Sequence, residues 1–396
     1  MASPSPPASR AALLKAFDES RTGVRGLVET GVSSVPDIFL HPDPYASAPL
    51  APQGVSIPSH LHPSLCDDYP ARALAAVRAF NELPGPERAK RYGRAPVNGG
   101  VSYSSNVDLF RSPSASWRDT MELENADPAR IPTACRAELL DWDAVATAVG
   151  RVLLRLLSQG LGLPDTTLEE ASCLNGKVMV CHYYPVCPEP ERTIGIVAHT
   201  DPGVLVVLAQ DGVGGLQVRH AGGEDDGKGR WVDVKPVPGA LVVNVGDLLQ
   251  MMSNDEYKGV EHRVVMNTRE EARVSIALFF NPGKRGESDF YGPLPELVSK
   301  ENPAKYRNFT IPEFLETFFS RELASKVLLE HFIVRRADRR GAPRKSGPHA
   351  ARNGGSARAA AALVWAAATR LLVVQLSICW VATGTQGFTG GGSMKP

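Results

Sequence analysis

The sequence predicts a mainly β protein with flanking helices. Three observations carry this. Between Lys177 and Pro282 the chain is a series of short runs rich in Val, Ile, Tyr and Phe, each bounded by Gly, Pro, Asn or Asp: "KVMVCHYYPV", "IGIVAHTD", "VLVVLAQD", "GLQVRH", "RWVDVKPV", "ALVVNVGDLLQMMS", "GVEHRVVMN" and "RVSIALFFNP". Ahead of them, longer stretches repeat apolar residues at helical spacing, and behind them one capped helix closes the series. Strands this short and this often interrupted form a sandwich, a barrel or a jelly roll.

Taken in order, the first residues are rich in Ser, Pro and Ala and read as a disordered leader. "SRAALLKAFDES" has helical spacing, and "GLVETGVSSVPDIFLHP" reads as turn and extended chain. Ser47 to Pro70 is a loop rich in Pro, Ser and His. "ARALAAVRAFNEL" and the longer "LLDWDAVATAVGRVLLRLLSQGLG", with glycine at its end, are helices. After the β-runs, "TIPEFLETFFSRELASKVLLEHF" is the closing helix, with Thr310 and Glu313 in capping-box spacing and Pro312 in the first turn. The expected organisation is therefore a leader, short helix and loop (1–70), a helical region (71–170), a β core (171–309), a closing helix (310–332) and a tail (333–396).

Composition narrows the function class. The chain has 396 residues, ample for a real core, and 43 basic residues balance 43 acidic ones. A zero net charge argues against nucleic acid or an anionic membrane surface as partner. The six cysteines are scattered with no CxxC pair, and no apolar segment opens the chain. Both point to free thiols in a reducing, cytoplasmic setting. The tail is basic and Gly-rich up to about residue 359, then apolar over 360–382. That segment is long enough to span a bilayer, but Arg370 near its centre costs roughly 2.5–3.5 kcal/mol on insertion. The expectation is an apolar tail without a selected role rather than an anchor.

Within the β-runs, polar side chains stand where apolar ones belong. His199 and Asp201 lie one residue apart in "AHTDPG" and, on a strand, would share a face. His262 in "GVEHRVVMN" offers a third ligand. Two imidazoles and a carboxylate on one face of an octahedron leave three positions open, which suits non-haem Fe(II), although zinc also accepts these ligands. Their ligating atoms should converge within about 4 Å of one another. Arg273 and Ser275 sit at i and i+2 on an otherwise apolar run, and a buried guanidinium needs an anion whose two oxygens fit its fork. Tyr184 in "CHYYPVCPEP" can add a phenol hydroxyl. Trp117, Phe280 and Asn281 are candidate pocket residues, with packing the competing role for Trp117. Lys235, Asp247, Glu261 and Asp233 flank the strands as solvated or turn residues.

In this order and spacing, "CHYYPVCPEPERTIGIVAHTDPG", "GLQV", "WVDVKPVPGALVVNVGDLLQMMSN", "VEHRVV" and "ARVSIALFF" resemble the plant Fe(II)/2-oxoglutarate-dependent dioxygenases. "AFDESRTGVRGLVETGVSSVPDIFLHP" and "SNVDLF…WRDTMELE" narrow the resemblance to the 1-aminocyclopropane-1-carboxylate oxidase homologues, a group that includes the benzoxazinoid dioxygenases of grasses. The resemblance implies a double-stranded β-helix, a jelly roll flanked by helices. It implies Fe(II) on His199, Asp201 and His262, and 2-oxoglutarate with its distal carboxylate on Arg273, Ser275 and Tyr184. It also implies O₂ as co-substrate, ascorbate as reductant, and a monomer that oxidises a small plant metabolite with release of succinate and CO₂. The alternatives are an inactive or misfolded paralogue or splice form without catalysis, or an ascorbate-dependent oxidase of the ethylene-forming type.

Three departures from the family pattern stand out. A strand–helix–strand block expected between "GVSIP" and "ARALAAVRAF" is absent, which should expose sheet edge and compromise the N-terminal side. The tail continues for some sixty residues beyond "LEHF". His182 stands two residues before Tyr184, where many relatives carry Asn, and is a further candidate for the 2-oxoglutarate site.

Overall fold

The computed structural model describes residues 9–43, 50–51, 59–61, 68–97, 100–220, 229–266, 270–320, 327–334 and 373–377. The predicted leader and most of the 47–70 loop lie outside them, as do Cys66 and Cys379.

Period-2 alternation folds the β-runs into two facing sheets. The chain begins with helices α1 (Arg10–Glu19) and α2 (Gly23–Glu29), a short strand β1 (Ser59–Leu61), and helices α3 (Tyr69–Asn81) and α4 (Gly85–Ala89). Strands β2 (Gly93–Val97), β3 (Val101–Ser104) and β4 (Asp119–Glu124) precede the long helix α5 (Arg136–Gly160) and the short α6 (Thr167–Glu170). Then follow β5 (Gly176–Tyr184), β6 (Ile194–His199), β7 (Leu205–Gln210), β8 (Leu216–His220), β9 (Arg230–Asp233) and β10 (Leu241–Val245). After α7 (Asp247–Met252) come β11 (His262–Val265) and β12 (Arg273–Asn281), a β13–β14 pair (Phe290–Tyr291, Phe309–Thr310), α8 (Ile311–Phe319), α9 (Val327–Phe332) and β15 (Val373–Ser377).

The major sheet runs β1-β15-β10-β7-β12-β5-β4-β3-β2 and the minor sheet β6-β11-β8-β9. From β5 to β12 the chain passes back and forth between the two sheets, which gives the jelly-roll core that the sequence predicts. One face of the major sheet packs against α3 and α5 through Met179, Cys181, Val207, Val243, Val274, Ile276, Leu278 and Phe280. The alternate residues face the minor sheet, where Val206, Val242 and Ala277 join Ile196, Val218 and Val264 in a second cluster. Helix α5 approaches β12 so closely that a Cβ on Gly150 would lie 2.6 Å from the Phe280 ring. Gly150→Leu is therefore expected to destabilise the fold by about 1–3 kcal/mol through overpacking, read as a lower urea midpoint.

The Thr310 side chain caps the closing segment, accepting from the Glu313 N–H at 3.4 Å, but that helix ends at Phe319 rather than running unbroken to 332. Cys135, Cys173, Cys181 and Cys187 are free and buried. Among the described residues no helix is long and apolar enough to cross a membrane.

The tail corrects one expectation. Most of 360–382 lies outside the described residues, but Val373–Ser377 is a strand rather than featureless chain. It pairs antiparallel with β10 (Leu241 opposite Leu376, Asn244 opposite Val373) and parallel with β1. "VVQLS" carries two β-branched valines, a strand signal embedded in a segment whose apolar length reads as a span.

Candidate metal and dicarboxylate site

His199 ends β6 and His262 begins β11, directly opposite one another in the minor sheet, where a register shift follows His262. Their ring centroids are 4.3 Å apart. Each imidazole is fixed by its own backbone: Nδ1 of His199 bonds the Val197 carbonyl at 2.8 Å, and Nδ1 of His262 bonds the Val260 carbonyl at 3.1 Å. Donation from Nδ1 leaves both Nε2 lone pairs free, the tautomer a metal ligand needs. Burial, then the neighbouring His262, pushes the His199 pKa down to about 4.

Asp201 completes the cluster by a different route from the one expected. The strand ends at His199, so Asp201 lies on the following loop rather than on a shared strand face. Helix α7 sets that loop in place. The Asp247 N–H donates to the Asp201 carbonyl at 2.8 Å and the Leu248 N–H to the Gly203 carbonyl at 3.1 Å. Gly246 is needed here, because a Cβ would meet the Gly203 carbonyl oxygen at 2.0 Å. Asp201 Oδ1 then stands 3.9 Å from His199 Nε2 and 3.6 Å from His262 Nε2, and the three ligating atoms lie within 4.8 Å of one another. Asn244 on β10 donates to Asp201 Oδ2 at 3.2 Å, which turns Oδ1 toward the imidazoles. This donor set, buried and with both Nε2 atoms free, fits a divalent ion.

Asp247 is another correction. It is 1% exposed, not solvated, and its Oδ2 accepts from Thr200 at 3.0 Å. Burial raises its pKa to about 7. A carboxyl whose folded pKa lies above its unfolded value stabilises the fold at low pH and loses that contribution as pH rises. Asp247→Asn is expected to gain stability over the parent progressively between about pH 4 and 7, by at most about 1.4 kcal/mol per pH unit, with no further gain above that. Chemical denaturation across pH measures it. Glu261 is mostly buried and paired with Arg219 at 2.5 Å, whereas Asp233 is exposed and accepts from Gln217.

The second half of the site lies on the major sheet. Arg273 opposes Tyr184 and Ser275 opposes His182 across β12 and β5, while Ser275 faces Gln210 on β7. Arg273 is 1% exposed. Its Nη1 donates to Ser275 Oγ at 2.9 Å and its Nη2 to Gln210 Oε1 at 3.1 Å, and its Nε has no partner. Among the described residues no carboxylate forms an ion pair with it. Asp211 feels its charge but is occupied by Arg78 at 3.1 Å and by the Val213 and Val274 N–H groups. The Tyr184 ring lies under the guanidinium at 4.9 Å, and its buried hydroxyl makes no well-formed hydrogen bond. A buried cation with an unanswered Nε beside an unanswered phenol fits a bound carboxylate. His182 is on the same face, bonded to Thr120 Oγ1 at 3.0 Å, and burial first, then Arg118, Arg273 and His199, hold its pKa well below the usual value.

The three pocket candidates separate. Asn281 shares the Arg273 face of β12, and its Oδ1 would lie 2.9 Å from a Cβ on Gly203, beside Asp201. Phe280 is turned to the other face and packs under α5; Phe279 is the phenylalanine on the Arg273 face. Counting in twos from Arg273 distinguishes them. Trp117 is fully buried, edge-on to Phe39 at 5.1 Å, with Nε1 donating to the Val186 carbonyl at 3.4 Å, so it packs rather than lines an opening. Sequence reasoning missed Gln210 and Asn244. Both are single polar residues closing or interrupting apolar strands, the same signal that marked Arg273 and Ser275.

The fold is that of a 2OG-Fe(II) oxygenase, and residues 175–282 match the 2OG-Fe(II) oxygenase superfamily. The chain belongs to that superfamily, and it is a dioxygenase of the oxidoreductase class. Among its relatives it is similar to 1-aminocyclopropane-1-carboxylate oxidase homolog 11 of Arabidopsis thaliana, 37% identical over 358 residues that cover 81% of this chain and 96% of the relative. Those 358 aligned positions exceed what 81% of 396 residues can fill, so part of the relative has no counterpart here. The crystal structure of JOX2 in complex with 2OG, Fe and JA is similar at 29% identity and TM-score 0.67, covering 79% of this chain and 98% of that one. A dioxygenase for auxin oxidation in rice is similar at 27% identity and TM-score 0.54, covering 68% and 87%.

Proposed function

We propose that the chain uses Fe(II) and 2-oxoglutarate to hydroxylate or otherwise oxidise a small plant metabolite or hormone in the cytoplasm, acting as a monomer with ascorbate as reductant. His199, Asp201 and His262 hold the metal. Arg273, Ser275 and Tyr184 hold the distal carboxylate of 2-oxoglutarate, with Gln210 steering the guanidinium and His182 bordering the same pocket. When bound, metal and 2-oxoglutarate supply O₂-dependent oxidation with release of succinate and CO₂. The protein keeps both imidazoles as free Nε2 donors, aims one Asp201 oxygen, and shields the whole from water.

The observation that carries this reading is the buried Arg273 fork, without a carboxylate partner, on the sheet facing a two-histidine, one-carboxylate cluster. The JOX2 structure, determined with JA, and the rice dioxygenase for auxin oxidation support a small organic substrate. The test is anaerobic. Fe(II) with 2-oxoglutarate is expected to give the weak visible charge-transfer band, and His199→Ala to abolish it. On admitting O₂, 2-oxoglutarate should be consumed and succinate formed. No band in the parent protein would favour the inactive-paralogue alternative, and ascorbate-dependent turnover without 2-oxoglutarate would favour the ethylene-forming type.

A further inference from the structure

Arg118 is a second buried guanidinium that the oxidative chemistry does not use. It precedes β4, whose Asp119 opposes Tyr183 and whose Thr120 opposes His182, so Arg118 falls at the level of Tyr184. Asp119 turns outward, accepting from the Val24 and Arg25 N–H groups at 2.8 Å each and from Ser105. Arg118 and Thr120 therefore face the interior of the roll. Arg118 is 5% exposed; its Nη1 donates to the Gly195 carbonyl on β6 at 2.6 Å, reaching across to the strand that carries His199. Its Nε is buried without a partner, and among the described residues no carboxylate pairs with it. The side chains of His182, Tyr184 and His199 all feel its positive charge.

A cation in this position needs an anion. Once a divalent ion and 2-oxoglutarate are in place, their charges cancel against those of Asp201 and Arg273, and Arg118 is the charge left over. Asp247 is engaged by Thr200. We propose that Arg118 is an anion-recognition residue for the organic substrate, and that the substrate is a small carboxylic acid whose carboxylate it binds beside the metal face. This rests on the function proposed above. A carboxylate could also come from the metal end of 2-oxoglutarate, and the experiment separates the two sources.

The full chain, loaded with Mn(II) and 2-oxoglutarate so that no turnover occurs, is titrated calorimetrically with benzoate, phenylacetate, 3-phenylpropanoate and indole-3-acetate, each beside its methyl ester. At least one acid should bind about tenfold or more tighter than its ester, a gap that falls below about twofold in Arg118→Gln and is partly kept in Arg118→Lys. The affinity for 2-oxoglutarate itself should change by less than about threefold in both variants. Failure of the parent to bind 2-oxoglutarate would sink the proposed function. Normal 2-oxoglutarate binding with no acid preferred over its ester would sink this inference alone, and it needs no variant to fold. Loss of 2-oxoglutarate affinity in Arg118→Gln with the acid preference intact would reassign Arg118 to the co-substrate.

Discussion

Replacing Arg273 with Met is expected to abolish 2-oxoglutarate binding while leaving the empty protein at least as stable as the parent. The guanidinium is almost completely enclosed, yet its hydrogen bonds go only to the neutral oxygens of Ser275 and Gln210. Breaking a buried charge pair by removing one partner costs about 3–5 kcal/mol, so 2-oxoglutarate affinity should fall on the order of a hundredfold or more. In the empty protein the same charge is an expense, since apolar replacements of buried charges are often neutral or stabilising by about 1–4 kcal/mol. Calorimetric titration with 2-oxoglutarate and a urea melt of the empty protein measure the two effects. A variant that loses stability and keeps its affinity would contradict the role given to Arg273.

The second large effect is expected at Asp201. It is the single negative charge of the proposed ligand set, and its Oδ1 lies 3.9 Å and 3.6 Å from the two imidazole Nε2 atoms. Asp201→Ala should lower metal affinity by well over the roughly 10–100-fold that loss of an outer hydrogen-bonding partner produces, and Asn244→Ala should fall in that 10–100-fold range. Competition with a chelating dye reads both. Metal affinity unchanged in Asp201→Ala would rule out the cluster as the metal site.

Why these residues could be found without the structure, and others could not, follows from what a strand reveals by itself. A polar residue inside an apolar β-run is visible in one dimension, and the alternation rule assigns it to a face. That marks His199, His262, Arg273, Ser275 and Tyr184 as candidates, and the same alternation puts Phe279, not Phe280, on the Arg273 face. It says nothing about which strands become neighbours. Gln210 and Asn244 acquire meaning only because β7 lies beside β12 and β10 beside β7. Asp201 is the reverse case: its place in the cluster was anticipated, but the cause is α7 holding the DPG loop rather than strand geometry. Asp247 read as a solvated turn residue because a helix of six residues leaves little periodic signal, and burial under the loop depends on a contact between segments more than forty residues apart.

The strand Val373–Ser377 bears on how the protein is made. It lies next to β10 in the major sheet, yet it follows β10 in the chain by more than a hundred residues. Until that strand has been synthesised, β10 presents an unpaired edge, a template open to other nascent chains. Yield of folded protein should thus depend on chaperones and on translation rate in a way that the stability of the finished fold does not reveal.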